Sequence, residues 1–325
     1  MKITAIAPSN IALIKYWGKK DEKLRLPTNG SISMNLSNLL TTTTVEFNRS
    51  FKQDEVLINE GKSMKEVDRV IKHIDVIRKL AKISTRVKVI SKNNFPIGTG
   101  LSSSASGFAA LTVAATKAIG LNLSEKELTI IARQGSGSAC RSIPDGFVEW
   151  VEGDTNDTSY AVSLFPHNYW NLIDVVVIVS QEKKDISSTE GQKITASSLF
   201  FKERLNHMNE KIKLCKQFLK TKNFSALGEL IENEALEMHA IMMTSKPPLL
   251  YWLPSTLSLI KMIKSWRANG LKVYFTINTG QDIHLIIEEK NRLKLIALLE
   301  KKPIIKKIIV NQPAQGTRVI KNHLF

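Results

Sequence analysis

Residues 94–107 read Asn94-Phe95-Pro96-Ile97-Gly98-Thr99-Gly100-Leu101-Ser102-Ser103-Ser104-Ala105-Ser106-Gly107. A short β-branched run, residues 86–90, precedes this segment and reads as a strand. An Ala/Leu-rich stretch, 101–119, follows it and ends at Gly120 as a helix should. The unit is therefore strand, loop, helix. Small residues let backbone N–H groups approach an anion, and the N-terminus of the following helix adds positive potential. Three serine hydroxyls supply further donors. No Lys-Ser/Thr closes the loop, so it is not a Walker A motif, and the single Gly61-Lys62-Ser63 lacks the upstream glycine. Taken alone, the segment fits a phosphate cradle and a Gly/Ser loop that merely opens a helix equally well.

Working outward, residues 39–48 are rich in threonine and valine and predict a strand, and the apolar run 174–179 predicts one buried on both faces. Ser124 and Glu127 stand at capping-box spacing at the start of a helix over 124–133. The second half changes character. Leu205, Met208, Ile212, Cys215 and Leu219 share one face of a helix over 201–220, and further helices are expected over 224–243 and 255–269. Strands over 273–277 and 283–287 flank a tight turn, and a helix at 291–299 and a strand at 306–310 complete an α+β pattern. The change of character places a boundary near residue 180, which gives an N-terminal lobe of 1–180 and a C-terminal lobe of 181–325.

The chain's 325 residues carry 46 Lys+Arg against 30 Asp+Glu, a net charge of +16, with 43% hydrophobic residues. This is globular composition and excludes a disordered, collagenous or coiled-coil chain. The excess charge suits nucleic acid, an anionic membrane or highly anionic small molecules. It is scattered in pairs such as Lys19-Lys20 and Lys183-Lys184, and no nucleic-acid-binding signature accompanies it. Residues 1–8 lack a signal-peptide core and no stretch reaches the roughly 18 apolar residues of a membrane span, so a cytosolic protein is expected. Cys140 and Cys215, without CxxC spacing, exclude a zinc ribbon or disulfide framework, and the six histidines form no metal-ligand pattern. Cys215 is expected to be a buried hydrophobe, with an intermolecular disulfide as the alternative.

A second cluster, Arg133-Gln134-Gly135-Ser136-Gly137-Ser138-Ala139-Cys140-Arg141-Ser142, sets two guanidinium groups around small hydroxylated residues. That combination suits a ligand with several phosphate or carboxylate oxygens. Near the N-terminus, Asn10 and Lys15-Tyr16-Trp17-Gly18-Lys19 mix aromatic and cationic groups.

The stretch Ala7-Pro8-Ser9-Asn10-Ile11-Ala12-Leu13-Ile14-Lys15-Tyr16-Trp17-Gly18-Lys19, followed by Leu26-Pro27-Thr28-Asn29-Gly30-Ser31-Ile32-Ser33, resembles the N-terminal signature of diphosphomevalonate decarboxylases. The similarity continues in order through Asn93-Asn94-Phe95-Pro96 with its Gly/Ser loop, the 133–142 cluster, Ser187-Ser188-Thr189-Glu190-Gly191, the 274–280 segment and Ile308-Ile309-Val310-Asn311-Gln312. It covers nearly the whole chain.

The resemblance implies a GHMP kinase-like α+β fold: an N-terminal lobe like the second domain of ribosomal protein S5, with a left-handed β-α-β unit, packed on an α+β C-terminal lobe. It implies ATP and Mg2+ as cofactors, and transfer of the γ-phosphoryl group to the 3-hydroxyl of mevalonate 5-diphosphate. Loss of phosphate and CO2 then gives isopentenyl diphosphate. By motif position, Asn94, Gly100, Ser102, Ser103 and Ser104 would hold the ATP phosphates, with Ser103 on the metal. Tyr16, Lys19, Ser136, Ser138, Arg141 and Ser188 would hold the substrate, and Lys15 would sit beside the reacting hydroxyl. A cytoplasmic homodimer is implied, with neither nucleic acid nor membrane as partner. A phosphomevalonate decarboxylase or a mevalonate-type 3-kinase is the alternative.

One departure bears on mechanism. The family segment Phe-Thr-x-Asp-Ala-Gly-Pro-Asn is here Phe275-Thr276-Ile277-Asn278-Thr279-Gly280-Gln281-Asp282, so Asn278 occupies the position of the catalytic Asp. An amide accepts a hydrogen bond but takes no proton at neutral pH. Three explanations are open: Asn278 orients the hydroxyl and the base contributes little, Asp282 takes over, or the substrate or reaction has drifted.

Overall fold

The structure, a computed structural model, describes residues 1–59, 61, 63–95, 101–180, 182 and 186–325. In chain order the first half contains β1 (Lys2–Ile14), β2 (Lys19–Asp21), β3 (Leu26–Pro27), β4 (Ser31–Phe47), β5 (Glu55–Ile58), α1 (Met64–Ala81), β6 (Val87–Asn93), α2 (Ser103–Ala118), α3 (Glu125–Gly135), β7 (Phe147–Trp150) and β8 (Ala161–Phe165). The second half contains β9 (Leu172–Ile178), α4 (Ser188–Lys193), α5 (Phe201–Thr221), α6 (Phe224–Thr244), α7 (Pro254–Ala268), β10 (Val273–Thr276), β11 (Ile283–Glu288), α8 (Arg292–Glu300), β12 (Lys307–Asn311) and β13 (Arg318–Ile320).

A seven-stranded sheet runs β13-β1-β4-β6-β5, with β7 beside the first part of β4 and β8 beside β7. The 17-residue β4 serves both arms, pairing β7 through Ser31–Met34 and β6 through Thr41–Phe47. A four-stranded sheet, β10-β11-β9-β12, forms separately. Sheet membership changes between Phe165 and Leu172, and the last strand, β13, returns to β1.

The expected helices at 101–119 and 124–133 correspond to α2 and α3, and the Ser124–Glu127 capping box is formed. β9 is buried along its whole length, as its unbroken apolar run requires, because Ile173, Val175 and Val177 face one core while Leu172, Val176 and Ile178 face another. Helix α1 and strands β1, β5, β7, β8 and β13 are additions to the sequence-based expectation. α1 lies between the parallel strands β5 and β6 and buries Val70, Ile74 and Ile77 on one face. α2 buries nearly all of its side chains, so its alanines admit the close approach of sheet and helix. Cys215 is fully buried on the inner face of α5 and its thiol is free. An intermolecular disulfide there would require that helix to leave its core, so the hydrophobe reading stands.

Candidate active site

A cleft of about 790 Å³ is lined by residues from both halves of the chain. Three segments distant in sequence meet at its floor. Strand β1 ends at Ile14 and delivers Lys15, which is 1% exposed. The α2 N-terminus delivers Ser102, held in the left-handed region at φ 56°, together with Ser103 and Ser104. The turn after β10 delivers Asn278. Its side chain joins the other two: Oδ1 accepts from Lys15 Nζ at 3.1 Å, and Nδ2 donates to Ser102 Oγ at 3.1 Å.

The backbone of Lys15 is fixed at both ends. Its N–H donates to Glu234 Oε1 at 2.9 Å, and its carbonyl accepts from Asn29 Nδ2 at 2.9 Å and Arg204 Nη2 at 3.3 Å. Arg204 on α5 and Glu234 on α6 form a fully buried ion pair, which Lys211 and Glu237 extend. The side chain of Lys15 donates to Ala12 O at 2.7 Å. Burial pulls its pKa down to about 7, a shift that Glu234 opposes and Arg141 and Arg204 reinforce.

The 133–142 cluster divides by function. Arg141 is 3% exposed; it donates to Ser31 Oγ at 2.7 Å and Asn10 Oδ1 at 3.4 Å, while its Nε has no hydrogen-bond partner among the described residues. Ser136, Ser138 and Arg141 all line the cleft. Arg133 does not, because its guanidinium is used on Leu24 O, Ser159 O and the carbonyl and side chain of Asn156. The expectation of two ligand-facing arginines is corrected to one. Tyr16 lines the cleft too, its hydroxyl on Gln192 Oε1 at 2.9 Å and its ring edge-on to Trp150. A Cβ on Gly137 would stand 2.8 Å from the Tyr16 ring, so the loop approaches that ring only as glycine.

Ser188, the first residue of α4, reaches the cleft beside Thr279, and their hydroxyls are hydrogen-bonded. Lys19 is not among the cleft-lining residues and pairs with Glu22 at 2.6 Å. Asn94 is likewise absent from the lining; its amide accepts from Leu40 N at 2.8 Å and donates to Asn38 O at 3.2 Å, stapling two strands. Gly100 and Lys183-Lys184 lie outside the described residues.

Asp282 does not line the cleft. It is 3% exposed, and its Oδ1 accepts the Val179 N–H at 3.1 Å at the end of β9. It therefore serves the strand end, and the expectation that it could replace the family Asp is set aside. His239 is buried, packs on Trp252 and sits 3.0 Å from the Asn278 carbonyl, supporting the turn from behind. Burial holds it neutral, its pKa lowered to about 3.

Sequence reasoning missed Arg25, Lys65, Arg69, Lys72 and Lys193, all of which line the cleft. Together with Lys15 and Arg141 they make seven basic side chains against Glu66 and Glu190 among the described lining residues. Such a cavity concentrates polyanions. As for a metal, no group of three or more His, Cys, Asp or Glu side chains exists among the described residues. A protein-caged cation is therefore not what these residues fit. A hydroxyl such as Ser103 at a helix start fits Mg2+ that arrives on nucleotide phosphates and keeps most of its ligands there.

Two family models match in succession: the diphosphomevalonate decarboxylase-like N-terminal domain over residues 7–161, and the mevalonate 5-diphosphate decarboxylase C-terminal domain over residues 174–321. The chain belongs to the diphosphomevalonate decarboxylase family. Diphosphomevalonate decarboxylase from Candida albicans is 36% identical over 313 residues, covering 91% of this chain and 86% of the relative. That from Saccharomyces cerevisiae is 35% identical over 320 residues, 91% of this chain and 80% of its own. Among solved structures, mevalonate diphosphate decarboxylase from Staphylococcus aureus superposes with a TM-score of 0.93 at 38% identity over 98% of both chains. The complex of MDDEF with MVAPP, AMPPCP and magnesium gives 0.93 at 36% identity over 99% of both. The GHMP kinase-like fold expected from the motifs is thus the fold of this diphosphomevalonate decarboxylase family member.

Proposed function

We propose that this chain is an ATP-dependent decarboxylase of mevalonate 5-diphosphate. It transfers the γ-phosphoryl group of ATP to the tertiary 3-hydroxyl and releases phosphate and CO2 to give isopentenyl diphosphate. The observation that carries this is one basic cleft that holds Lys15 and Asn278 at hydrogen-bond distance and is lined as well by Ser102–Ser104, Ser136, Ser138, Arg141 and Ser188. Such chemistry needs positioning and neutralised charge rather than a protein nucleophile.

In this reading Ser102, Ser103 and Ser104 with Gly100 cradle the ATP phosphates at the α2 N-terminus. Ser103 would be among the ligands of Mg2+, which would offset the phosphate charge. Arg141, Tyr16, Ser136, Ser138 and Ser188 hold the substrate's anionic groups, and Asn278 orients the hydroxyl. Lys19 and Asn94, neither of which lines the cleft, bond Glu22 and the Asn38 and Leu40 backbone respectively. We further infer a cytoplasmic homodimer. No described helix is long and apolar enough to cross a membrane, and sedimentation of the purified chain tests the dimer.

The functional test compares ADP release on mevalonate, its 5-phosphate and its 5-diphosphate under one set of conditions. The 5-diphosphate is expected to give the highest kcat/KM, by at least tenfold. A preference for the 5-phosphate would make the chain a phosphomevalonate decarboxylase, and phosphorylation of mevalonate without CO2 release would make it a 3-kinase.

A further inference from the structure

Phosphoryl transfer to a hydroxyl releases a proton, and Asn278 cannot take it. Asp282 is turned to the end of β9. Of the two carboxylates among the described lining residues, Glu190 is committed to Ser187 and Lys65 at the start of α4, and Glu66, on the first turn of α1, is not a hydrogen-bond partner of the Lys15 or Asn278 side chain. Among the described residues, the titratable group hydrogen-bonded to the Asn278 side chain is Lys15.

The two acceptors at Lys15 Nζ leave room for an amine. Nζ has two acceptors, Ala12 O at 2.7 Å and Asn278 Oδ1 at 3.1 Å. Two acceptors use the two hydrogens of a neutral amine, and the remaining tetrahedral position then carries a lone pair. A carboxylate at 278 would instead hold the lysine as a cation and, with the amine already protonated, be the acceptor that is left.

We propose that Lys15, as the free amine oriented by Asn278, accepts the proton of the substrate hydroxyl during phosphoryl transfer. The proposal rests on the reaction given under Proposed function. The hydroxyl O–H bond breaks and its proton moves to the Nζ lone pair. The oxygen forms a bond to the γ-phosphorus as the bond from that phosphorus to the β–γ bridging oxygen breaks, and ADP leaves. In the second step the C3–O bond breaks with its electron pair going to phosphate, and the C–C pair released with CO2 becomes the new double bond. The ammonium returns its proton to solvent after the products depart.

Charged groups face Lys15 from each packed element. Glu234 on α6 and Asp174 on β9 favour the ammonium, while Arg141 and Arg204 favour the amine. Burial is the largest influence and brings the pKa to about 7, so both forms are populated near neutrality, as a general base requires. His239, neutral behind the Asn278 carbonyl, adds no charge.

The test has two arms, both on the full-length chain. In the first, 15N-lysine NMR follows Nζ in the absence of ligands, with the Lys15 signal assigned by its loss in Lys15→Met. In the second, kcat/KM for ADP release on mevalonate 5-diphosphate is measured from pH 5.5 to 8.5 for wild type and Asn278→Asp. The expected results are a Lys15 titration near neutrality, an acid limb in which kcat/KM falls about tenfold per pH unit below it, and displacement of that limb by at least one unit to lower pH in Asn278→Asp. In that variant the Lys15 titration moves upward by at least one unit. A flat wild-type profile, or a Lys15 that titrates above pH 9 while Asn278→Asp keeps the wild-type limb, would overturn the proposal while leaving the decarboxylase reading in place. Absence of substrate-stimulated ADP release at every pH would overturn both.

Discussion

Arg141 is buried, and its guanidinium is bonded to neutral groups, Ser31 Oγ and Asn10 Oδ1, with Nε left over among the described residues. A buried cation without a carboxylate costs stability, and an arriving anion recovers it. Replacing Arg141 with leucine should therefore leave the melting temperature unchanged or higher, while binding of inorganic pyrophosphate weakens by at least tenfold in calorimetry. A variant that both melts early and binds normally would show that Arg141 supports the fold and not the ligand. Arg133, eight residues earlier, has the same chemistry and the opposite use, since its donors are taken by Leu24, Asn156 and Ser159. Nothing in the sequence separates the two arginines, because the difference lies in which carbonyls the folded chain brings alongside. The same holds for Asp282, which sits on the right turn but faces the wrong side of it.

At the scale of elements, α5 and α6 act as a clamp on the end of β1. Arg204 and Glu234 bind each other and hold the N–H and C=O of Lys15. Glu234→Gln would strip the clamp of its negative charge and leave Arg204 and Lys211 dependent on Glu237 alone. Breaking a buried pair in this way costs about 3 kcal/mol, readable in urea unfolding. Since Glu234 also favours the ammonium form of Lys15, the substitution should lower the Lys15 pKa further and move the acid limb of activity to lower pH. An unchanged limb would mean that the clamp positions Lys15 without tuning it. The helices of this clamp were legible from periodicity, Leu205, Met208, Ile212, Cys215 and Leu219 marking the inner face of α5. The clamp itself was not, because Arg204 and Glu234 look like ordinary surface charges until the helices pack. Helix α1 was missed although Val70, Ile74 and Ile77 are spaced for one face, since lysines and acids crowd the stretch between them. With α1 went Lys65, Arg69 and Lys72, which give the cleft much of its charge.

For the whole molecule, the net charge of +16 has a specific local expression, seven basic side chains against two carboxylates among the described residues that line the cleft. The motifs that form the floor of the site were legible because small residues at a strand–helix junction and around two arginines have few other uses. The basic walls were not, because lysine on a helix carries no mark that separates a ligand-facing side chain from a solvated one. The fold also stores an acid sensitivity. His73 and His239 are buried in different cores, and burial lowers both to a pKa of about 3 from an ordinary 6.5. Between those values the unfolded chain binds more protons than the folded one, so stability present above pH 6.5 is lost as the pH falls toward 3. Thermal melts at pH 7, 6 and 5 should show a steady decrease that is shallower in His73→Leu; equal slopes in the two proteins would assign the acid loss to other groups.

The cleft that holds Lys15 and Asn278 brings ATP and mevalonate 5-diphosphate together despite the amide at position 278. The most direct measurement follows ADP and CO2 together after the purified chain is mixed with ATP, Mg2+ and 1-14C-labelled mevalonate 5-diphosphate. Equal amounts of ADP and labelled CO2, both dependent on the diphosphate substrate, are the predicted result. An ADP signal that the substrate does not stimulate, with no labelled CO2, would contradict the account.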